Sequence, residues 1–85
     1  MRSYDPTDFA QHPRKYELFQ TARVAQHVLT ADGAADLEQG RYVAIKYFRT
    51  AWNALRRREE PVYSVTVDGK IWGYLYGNAL ADFVL

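Results

Sequence analysis

The sequence predicts an all-β domain, a barrel of five short strands, and three observations support this fold class. Residues 41–48 and 62–67 are rich in β-branched and aromatic side chains, which favour strands. Residues 70–76 have the same character. Asp68 and Gly69 separate the last two stretches and suit the positive-φ positions of a two-residue hairpin turn. We therefore expect the second half of the chain to form an antiparallel sheet.

The 85 residues are expected to form a single domain, in which residues 1–16 are an N-terminal extension and residues 17–85 are the barrel. Asp5 and Pro6 indicate a helix start, because aspartate caps a helix and proline suits its first position. Pro13 lacks the N–H that a continuing helix needs and ends this helix after about two turns. The extension is therefore expected to hold one short helix.

Residues 17–29 fit two kinds of structure. Their apolar positions recur at helical spacing, but those between 22 and 28 also alternate as in a strand. Periodicity does not distinguish the two. The all-β barrel requires the strand, and the alternative is an α+β fold in which residues 17–29 form a helix against a three-stranded sheet.

Alternation within the strands predicts which residues point inward. In residues 41–48, Val43, Ile45 and Tyr47 are predicted to lie on one face and Lys46 on the other. In residues 70–76, Ile71 and Leu75 are predicted to point inward. The opposite face of that strand carries a lysine and three aromatic residues: Lys70, Trp72, Tyr74 and Tyr76. Gly73 indicates either a bend or a close backbone approach within the strand.

The segment between the strands predicted at 41–48 and 62–67 is expected to be a long, partly helical arm over residues 50–60. Phe48, Ala51 and Leu55 recur at helical spacing, and Pro61 ends the pattern. After the last hairpin, residues 78–82 fit a short helical turn and residues 83–85 a closing strand.

The composition excludes several classes of protein. The chain has no cysteine, so neither a disulfide nor a zinc–thiolate site can form around His12 and His27, and we predict no metal or cofactor. The first residues lack the apolar core of a signal peptide, and no apolar run reaches the ~18 residues of a membrane span. We therefore expect a cytoplasmic protein without membrane contact. The net charge of +1 argues against a strongly electrostatic nucleic-acid binder.

Three segments resemble, in order, parts of the Src-homology-three family of small β-barrels. Residues 22–28 correspond to its opening strand. Residues 36–43 (DLEQGRYV) resemble the segment that enters its second strand, and residues 73–80 (GYLYGNAL) resemble its last strand and the 3₁₀ turn that follows. The resemblance covers about residues 20–85 and implies a five-stranded barrel.

That family binds proline-rich peptides in a groove lined by aromatic side chains. Tyr74 and Asn78 match positions of the groove. Tyr76 stands where the family has its groove proline, and Val62 and Tyr63 stand where it has paired tryptophans. The resemblance therefore implies the barrel without the family's usual ligand, because a shared fold does not by itself transfer function.

An aromatic surface is the first candidate site. Trp72, Tyr74 and Tyr76 are predicted to share a face, which three further residues would extend: Trp52, Tyr63 and Asn78. Tryptophan and tyrosine are enriched among the residues that dominate binding energy at protein interfaces, so we expect this face to bind a protein partner. The alternative is that the rings pack beneath the 50–60 arm or the N-terminal extension, because a small barrel needs such cover.

A run of charges is the second candidate site. Arg56, Arg57 and Arg58 are followed by Glu59 and Glu60. The arginines could bind the phosphates of a nucleic acid while nearby rings stack on its bases. The alternative is a solvated loop whose charges form local ion pairs.

No spacing of serine, histidine and acidic residues suggests a catalytic triad, so we predict that the protein is not an enzyme. His27 is expected to be a strand residue. The favoured function is a protein-interaction module, of a size found among accessory proteins of phages and mobile elements. Nucleic-acid binding is the alternative function, and a homodimer formed through exposed strand edges is a third hypothesis.

Overall fold

The computed structural model describes residues 4–18, 20–25, 28–30 and 36–84. The chain is mostly β, as the sequence predicts, with a few short helices. The described elements are α1 (Pro6–Gln11), α2 (Pro13–Glu17), β1 (Gln20–Ala25), β2 (Tyr42–Asn53), β3 (Arg58–Val67), β4 (Lys70–Tyr76), a 3₁₀ helix (Gly77–Asp82) and β5 (Phe83–Val84).

The strands form an antiparallel sheet in the order β4–β3–β2–β1–β5. The four longer strands curl into a half-barrel, and the two residues of β5 pair with the end of β1. The alternative helix at 17–29 is wrong, because residues 20–24 pair with residues 42–46 of β2 as a strand. The prediction for His27 lies outside the described residues.

The partly helical arm predicted at 50–60 is also wrong. Pairing between β2 and β3 continues without a break from Arg49↔Val62 to Asn53↔Arg58, so the arm is the end of a long β-hairpin. Residues 54–57 form its turn, and Arg57 adopts a φ of 55° there.

Two register shifts bend the sheet. Phe48 is the extra residue where pairing moves from Tyr47↔Tyr63 to Arg49↔Val62. A second shift lies in β4, where Thr66 pairs with Ile71 and Val65 pairs with Gly73, so that Trp72 is left between the pairs. Each extra residue inverts the alternation of faces beyond it.

The shift in β4 corrects the predicted faces of that strand. Leu75 packs against the core as predicted. Ile71, which was expected inside, is 57% exposed, and Trp72, which was expected on the face of Tyr74, packs against the core. Gly73 lies at this shift, paired with Val65.

The core is lined by the inward residues of the sheet and closed by the N-terminal extension. Its sheet residues include Val43, Ile45, Tyr63 and Val65, and the C-terminal segment adds Leu80 and Phe83. The extension contributes three aromatic residues whose ring centroids lie 5.6–6.2 Å apart: Tyr4, Phe9 and Tyr16. Each such side chain stabilises the fold by about 1.5–3 kcal/mol when buried.

The helices of the extension begin at residues that the sequence marks. The Asp5 carboxylate accepts a hydrogen bond from the Thr7 N–H at 2.9 Å and caps α1. Pro13 ends α1, as predicted, but it also begins a second helix, because proline suits a first helical position. α2 then brings Tyr16 over the half-barrel, where the Tyr16 carbonyl accepts a hydrogen bond from the Tyr63 hydroxyl at 3.0 Å.

Candidate functional site

The outer face of the sheet is the side of β2, β3 and β4 opposite the core. Strand pairing arranges this face in three rows, and each row has one residue from each of these three strands. The rows are Ala44–Thr66–Ile71, Lys46–Ser64–Tyr74 and Arg49–Val62–Tyr76. Phe48 joins this face from the register shift in β2, because its ring contacts that of Tyr74. These ten residues are called the outer face below.

The centre of the outer face is a pair of exposed rings. The ring centroids of Phe48 and Tyr74 lie 4.8 Å apart at an angle of 44°. The rings come from β2 and β4, on either side of β3. Phe48 is 53% exposed and Tyr74 is 52% exposed. The guanidinium of Arg49 lies 5.9 Å from the centroid of the Phe48 ring, within the range of a cation–π contact. The pair is therefore an exposed apolar surface, formed by two tilted rings, with a cation at its border.

The charges of the outer face are all positive. Lys46 and Arg49 are exposed, and none of the ten residues is acidic. Within the described part of the chain, neither cation has an ion-pair partner; the ion pairs formed there join other residues. The two cations lie along β2, whereas the rings of Tyr74 and Tyr76 lie along β4.

The turn of the β2–β3 hairpin, residues 54–57, is a second exposed feature. Leu55 is 96% exposed, and Trp52, which precedes the turn, is 58% exposed. Arg56 and Arg57 are exposed beside them. This hairpin turn therefore presents apolar and cationic side chains to solvent at one end of the molecule.

Asn53 fixes the path of the hairpin turn. Its side-chain oxygen accepts hydrogen bonds from the N–H groups of Leu55 at 3.1 Å and Arg56 at 3.4 Å. Its backbone carbonyl accepts one from the Arg57 N–H at 2.7 Å. Asparagine side chains commonly bond to backbone groups in this way and so stabilise a turn.

A buried carboxylate anchors Asn53 from below. Glu60 is fully buried and accepts a hydrogen bond from the Asn53 side-chain amide at 2.7 Å. Its other oxygen accepts hydrogen bonds from Arg58 at 2.8 Å and from the Tyr4 hydroxyl at 3.1 Å. Glu60 therefore connects the hairpin turn to the N-terminal extension.

The pKa values of this group reflect its surroundings. Burial alone would raise the pKa of Glu60, but the hydrogen bonds from Arg58, Asn53 and Tyr4 outweigh it and hold the pKa below its usual value. Burial, together with the neighbouring Glu60 charge, raises the pKa of Tyr4 to about 12. At neutral pH, Glu60 is therefore ionised and Tyr4 keeps the proton that it donates.

The structure distributes the predicted protein-binding residues over several places. Tyr74 and Tyr76 share the outer face, and Trp52 lies in the hairpin, where its carbonyl accepts a hydrogen bond from the Tyr76 hydroxyl at 3.1 Å. Asn78 is exposed in the 3₁₀ helix. Tyr63 is fully buried, and Trp72 packs against the core, so these two are not part of an exposed aromatic face.

The predicted arginine cluster is divided. Arg56 and Arg57 are exposed in the hairpin turn, whereas Arg58 pairs with Glu60. Sequence reasoning did not identify Phe48 and Arg49 as surface partners of Tyr74. Their placement depends on the register shift at Phe48, for which the sequence gives no local signal.

Neither a site motif nor a known relative identifies the chain. In the part that the structure describes, no three histidine or acidic side chains form a group that could hold a metal ion, and no helix is long and apolar enough to cross a membrane. No family model, no curated protein and no solved structure matches this chain. The likeness to the Src-homology-three family therefore rests on the order of elements and on the residues quoted above.

Proposed function

We propose that this domain is a non-enzymatic protein-interaction module that inserts its hairpin turn into an apolar pocket of a partner protein. The observation that carries the proposal is Leu55, an almost fully exposed leucine on a turn held in place by hydrogen bonds. Burying such a side chain in a partner would contribute about 1.5–3 kcal/mol to binding.

The rigidity of the turn supports a binding role. Ordering a flexible loop on binding has an entropic cost that weakens the complex, and a loop already in its bound shape avoids this cost. Asn53 and the buried Glu60 hold the turn before any partner arrives. A turn that only connected two strands would not need a buried carboxylate beneath it.

The neighbouring side chains are of the types that dominate protein interfaces. Tryptophan and arginine are enriched among binding hot spots, and Trp52, Arg56 and Arg57 surround Leu55. We expect the apolar pair to enter the partner's pocket and the two arginines to contact its polar rim.

The scaffold that we propose is a five-stranded Src-homology-three-like barrel. The succession of β4, a 3₁₀ helix and a short β5 that returns beside β1 supports this proposal. The binding surface would differ from the family's groove, which agrees with the substitutions at the groove positions.

The test uses a matched pair of exposed leucines. Leu55→Ser removes the apolar apex, and Leu18→Ser alters another exposed leucine, 69% exposed after α2. Affinity capture from the source cells, with mass spectrometry, would identify the partner, and titration calorimetry would measure its affinity. We expect Leu55→Ser to weaken binding at least ~10-fold, which corresponds to about 1.4 kcal/mol. Leu18→Ser should leave the affinity unchanged.

Both variants should unfold at the temperature of the wild-type protein, because both leucines are exposed. Light scattering would show whether the partner is a second copy of the chain. A partner that binds Leu55→Ser as tightly as the wild-type protein would refute the proposed role of the turn.

A further inference from the structure

We propose that the outer face binds single-stranded nucleic acid, at a site separate from the hairpin turn. Bases would stack on the rings of Phe48 and Tyr74, and the phosphates beside them would contact Lys46 and Arg49. This binding function is independent of the protein partner proposed above, because it uses different residues.

The ring pair provides the stacking surface. Phe48 and Tyr74 are in contact with each other, and each remains more than half exposed. Exposed rings of this kind on a sheet accept unpaired bases, and they tolerate any sequence because every base has a flat π face. A duplex keeps its bases stacked on one another, so this surface favours a single strand.

The position of the cations matches the chemistry of a single strand. Lys46 and Tyr74 lie in the same row, separated by Ser64 on β3, so they are two strand spacings or ~10 Å apart. Arg49 and Tyr76 stand in the same relation in the next row. Lys46 and Arg49 therefore lie along β2, Tyr74 and Tyr76 lie along β4, and the Phe48 ring reaches from β2 to contact Tyr74. A single strand running along β2 and β4 would place its bases on these rings and its phosphates beside the two cations.

The charge of the surface identifies the ligand as an anion. The net charge of the whole chain is only +1, yet the outer face has two cations and no acidic residue. Three acidic residues lie in β3 and the turn that follows it, and none of them belongs to the outer face. Glu59 is exposed opposite Trp52, three residues from the Val62 that pairs with Arg49. Glu60 is buried against Arg58, and Asp68 pairs with Arg41 at the turn between β3 and β4. Flat rings beside unopposed cations favour a nucleic acid over an acidic peptide, whose side chains do not stack.

The first experiment measures fluorescence anisotropy with labelled oligothymidylate of about 12 nucleotides, at about 50 mM and about 200 mM salt. The wild-type protein should bind it and lose affinity as the salt rises. Phe48→Ala with Tyr74→Ala should reduce the affinity at least ~10-fold at the lower salt concentration, because the stacking surface is removed.

The second experiment separates local contacts from net charge. Arg49→Ala should reduce the affinity and lower the slope of log K against log salt by ~0.7, the value for one phosphate contact on a single strand. Arg14→Ala changes the net charge equally but alters an exposed residue of α2, and it should leave the slope unchanged. Leu55→Ser should leave oligonucleotide binding unchanged, so that failure of this proposal and failure of the protein-partner proposal are distinguishable.

Four results would overturn the proposal. They are an absence of binding to the oligonucleotide at about 50 mM salt, equal effects of Arg49→Ala and Arg14→Ala, tighter binding of a duplex of the same length, and more effective competition by an oligoglutamate peptide than by unlabelled oligothymidylate. The last result would assign the surface to an acidic protein segment.

Discussion

Two hairpins share strand β3, and they reverse the chain in different ways. The β3–β4 hairpin uses two residues, Asp68 and Gly69, with φ values of 51° and 78°. Its link to the rest of the surface is an exposed ion pair between Arg41 and Asp68. The β2–β3 hairpin uses four residues, 54–57. The residue before this turn, Asn53, is hydrogen-bonded to a fully buried carboxylate, Glu60.

The two hairpins therefore differ in role. The β3–β4 hairpin only connects two strands, whereas the β2–β3 hairpin holds exposed side chains in a fixed position. A two-residue turn with positive φ values matches the twist of the strands and needs no further support. A buried carboxylate loses its hydration, so it is maintained only where hydrogen bonds replace the water. At the β2–β3 hairpin those bonds come from Asn53, Arg58 and Tyr4, and they fix the position of a turn whose side chains are exposed.

The largest effect is expected at the base of the longer hairpin. Glu60→Ala leaves the Arg58 guanidinium, the Asn53 amide and the Tyr4 hydroxyl without their buried acceptor, and should lower the free energy of unfolding by about 3–5 kcal/mol. Urea denaturation measures this loss. Glu59→Ala, at the exposed neighbouring position, should change stability by less than ~0.5 kcal/mol. A similar loss in both variants would mean that the buried network does not stabilise the hairpin.

A smaller loss of stability is expected where the extension meets the half-barrel. A Cβ added at Gly77 would lie 2.7 Å from Cδ1 of the Tyr4 ring, so Gly77→Ala must displace that ring and should cost about 1–3 kcal/mol. In a double-mutant cycle with Tyr4→Ala, Gly77→Ala should have little additional effect, because the clash is gone. Additive losses would show that Gly77 does not act through Tyr4.

The pH dependence of stability provides a smaller and more specific test. Because the pKa of folded Glu60 lies below the usual 4.5, its ionised form stabilises the protein fully above that pH, and the contribution is lost as the pH falls through the lower pKa of the folded state. The stability difference between the wild-type protein and Glu60→Gln should therefore shrink below about pH 4.5. A difference that stays constant between neutral pH and pH ~3 would contradict this account.

The smallest effect is expected at the shorter hairpin. Asp68→Gly removes the exposed ion pair with Arg41, but glycine accepts a φ of 51° without strain. Exposed pairs contribute little, so thermal unfolding should show a change of less than ~0.5 kcal/mol. A loss of 2 kcal/mol or more would mean that both hairpins depend on tertiary support, and the contrast between them would disappear.

Local patterns predicted the parts of the fold that depend on neighbouring residues. The bounds of β4 and the Asp68–Gly69 turn follow from residue preferences and agree with the structure. The long β2–β3 hairpin did not follow, because residues 48–55 fit a helix as well as a strand when considered alone. Pairing with β3 decides between them, and that pairing is a tertiary interaction.

In the candidate surfaces, too, the faces that depend only on local alternation were predicted correctly, and those that depend on strand register were not. Tyr74 and Tyr76 were assigned to one face correctly by alternation, because no register shift separates them. Trp72 was misassigned because the shift lies beside it. Phe48 and Tyr74 meet across 26 residues of sequence, so their contact could be found only once the register of three strands was known.

The hydrogen bond between Tyr4 and Glu60 also has a consequence for the order in which the parts of the protein fold. Its two residues are 56 positions apart, and the Tyr4 ring also lies against Gly77, further along the chain. During synthesis, the Tyr4 hydroxyl has no Glu60 acceptor until residue 60 has left the ribosome, and the Tyr4 ring cannot pack against Gly77 until residue 77 has done so. The extension can therefore complete its packing only after the strands that follow it have been made, so its docking onto the half-barrel is a late step of folding.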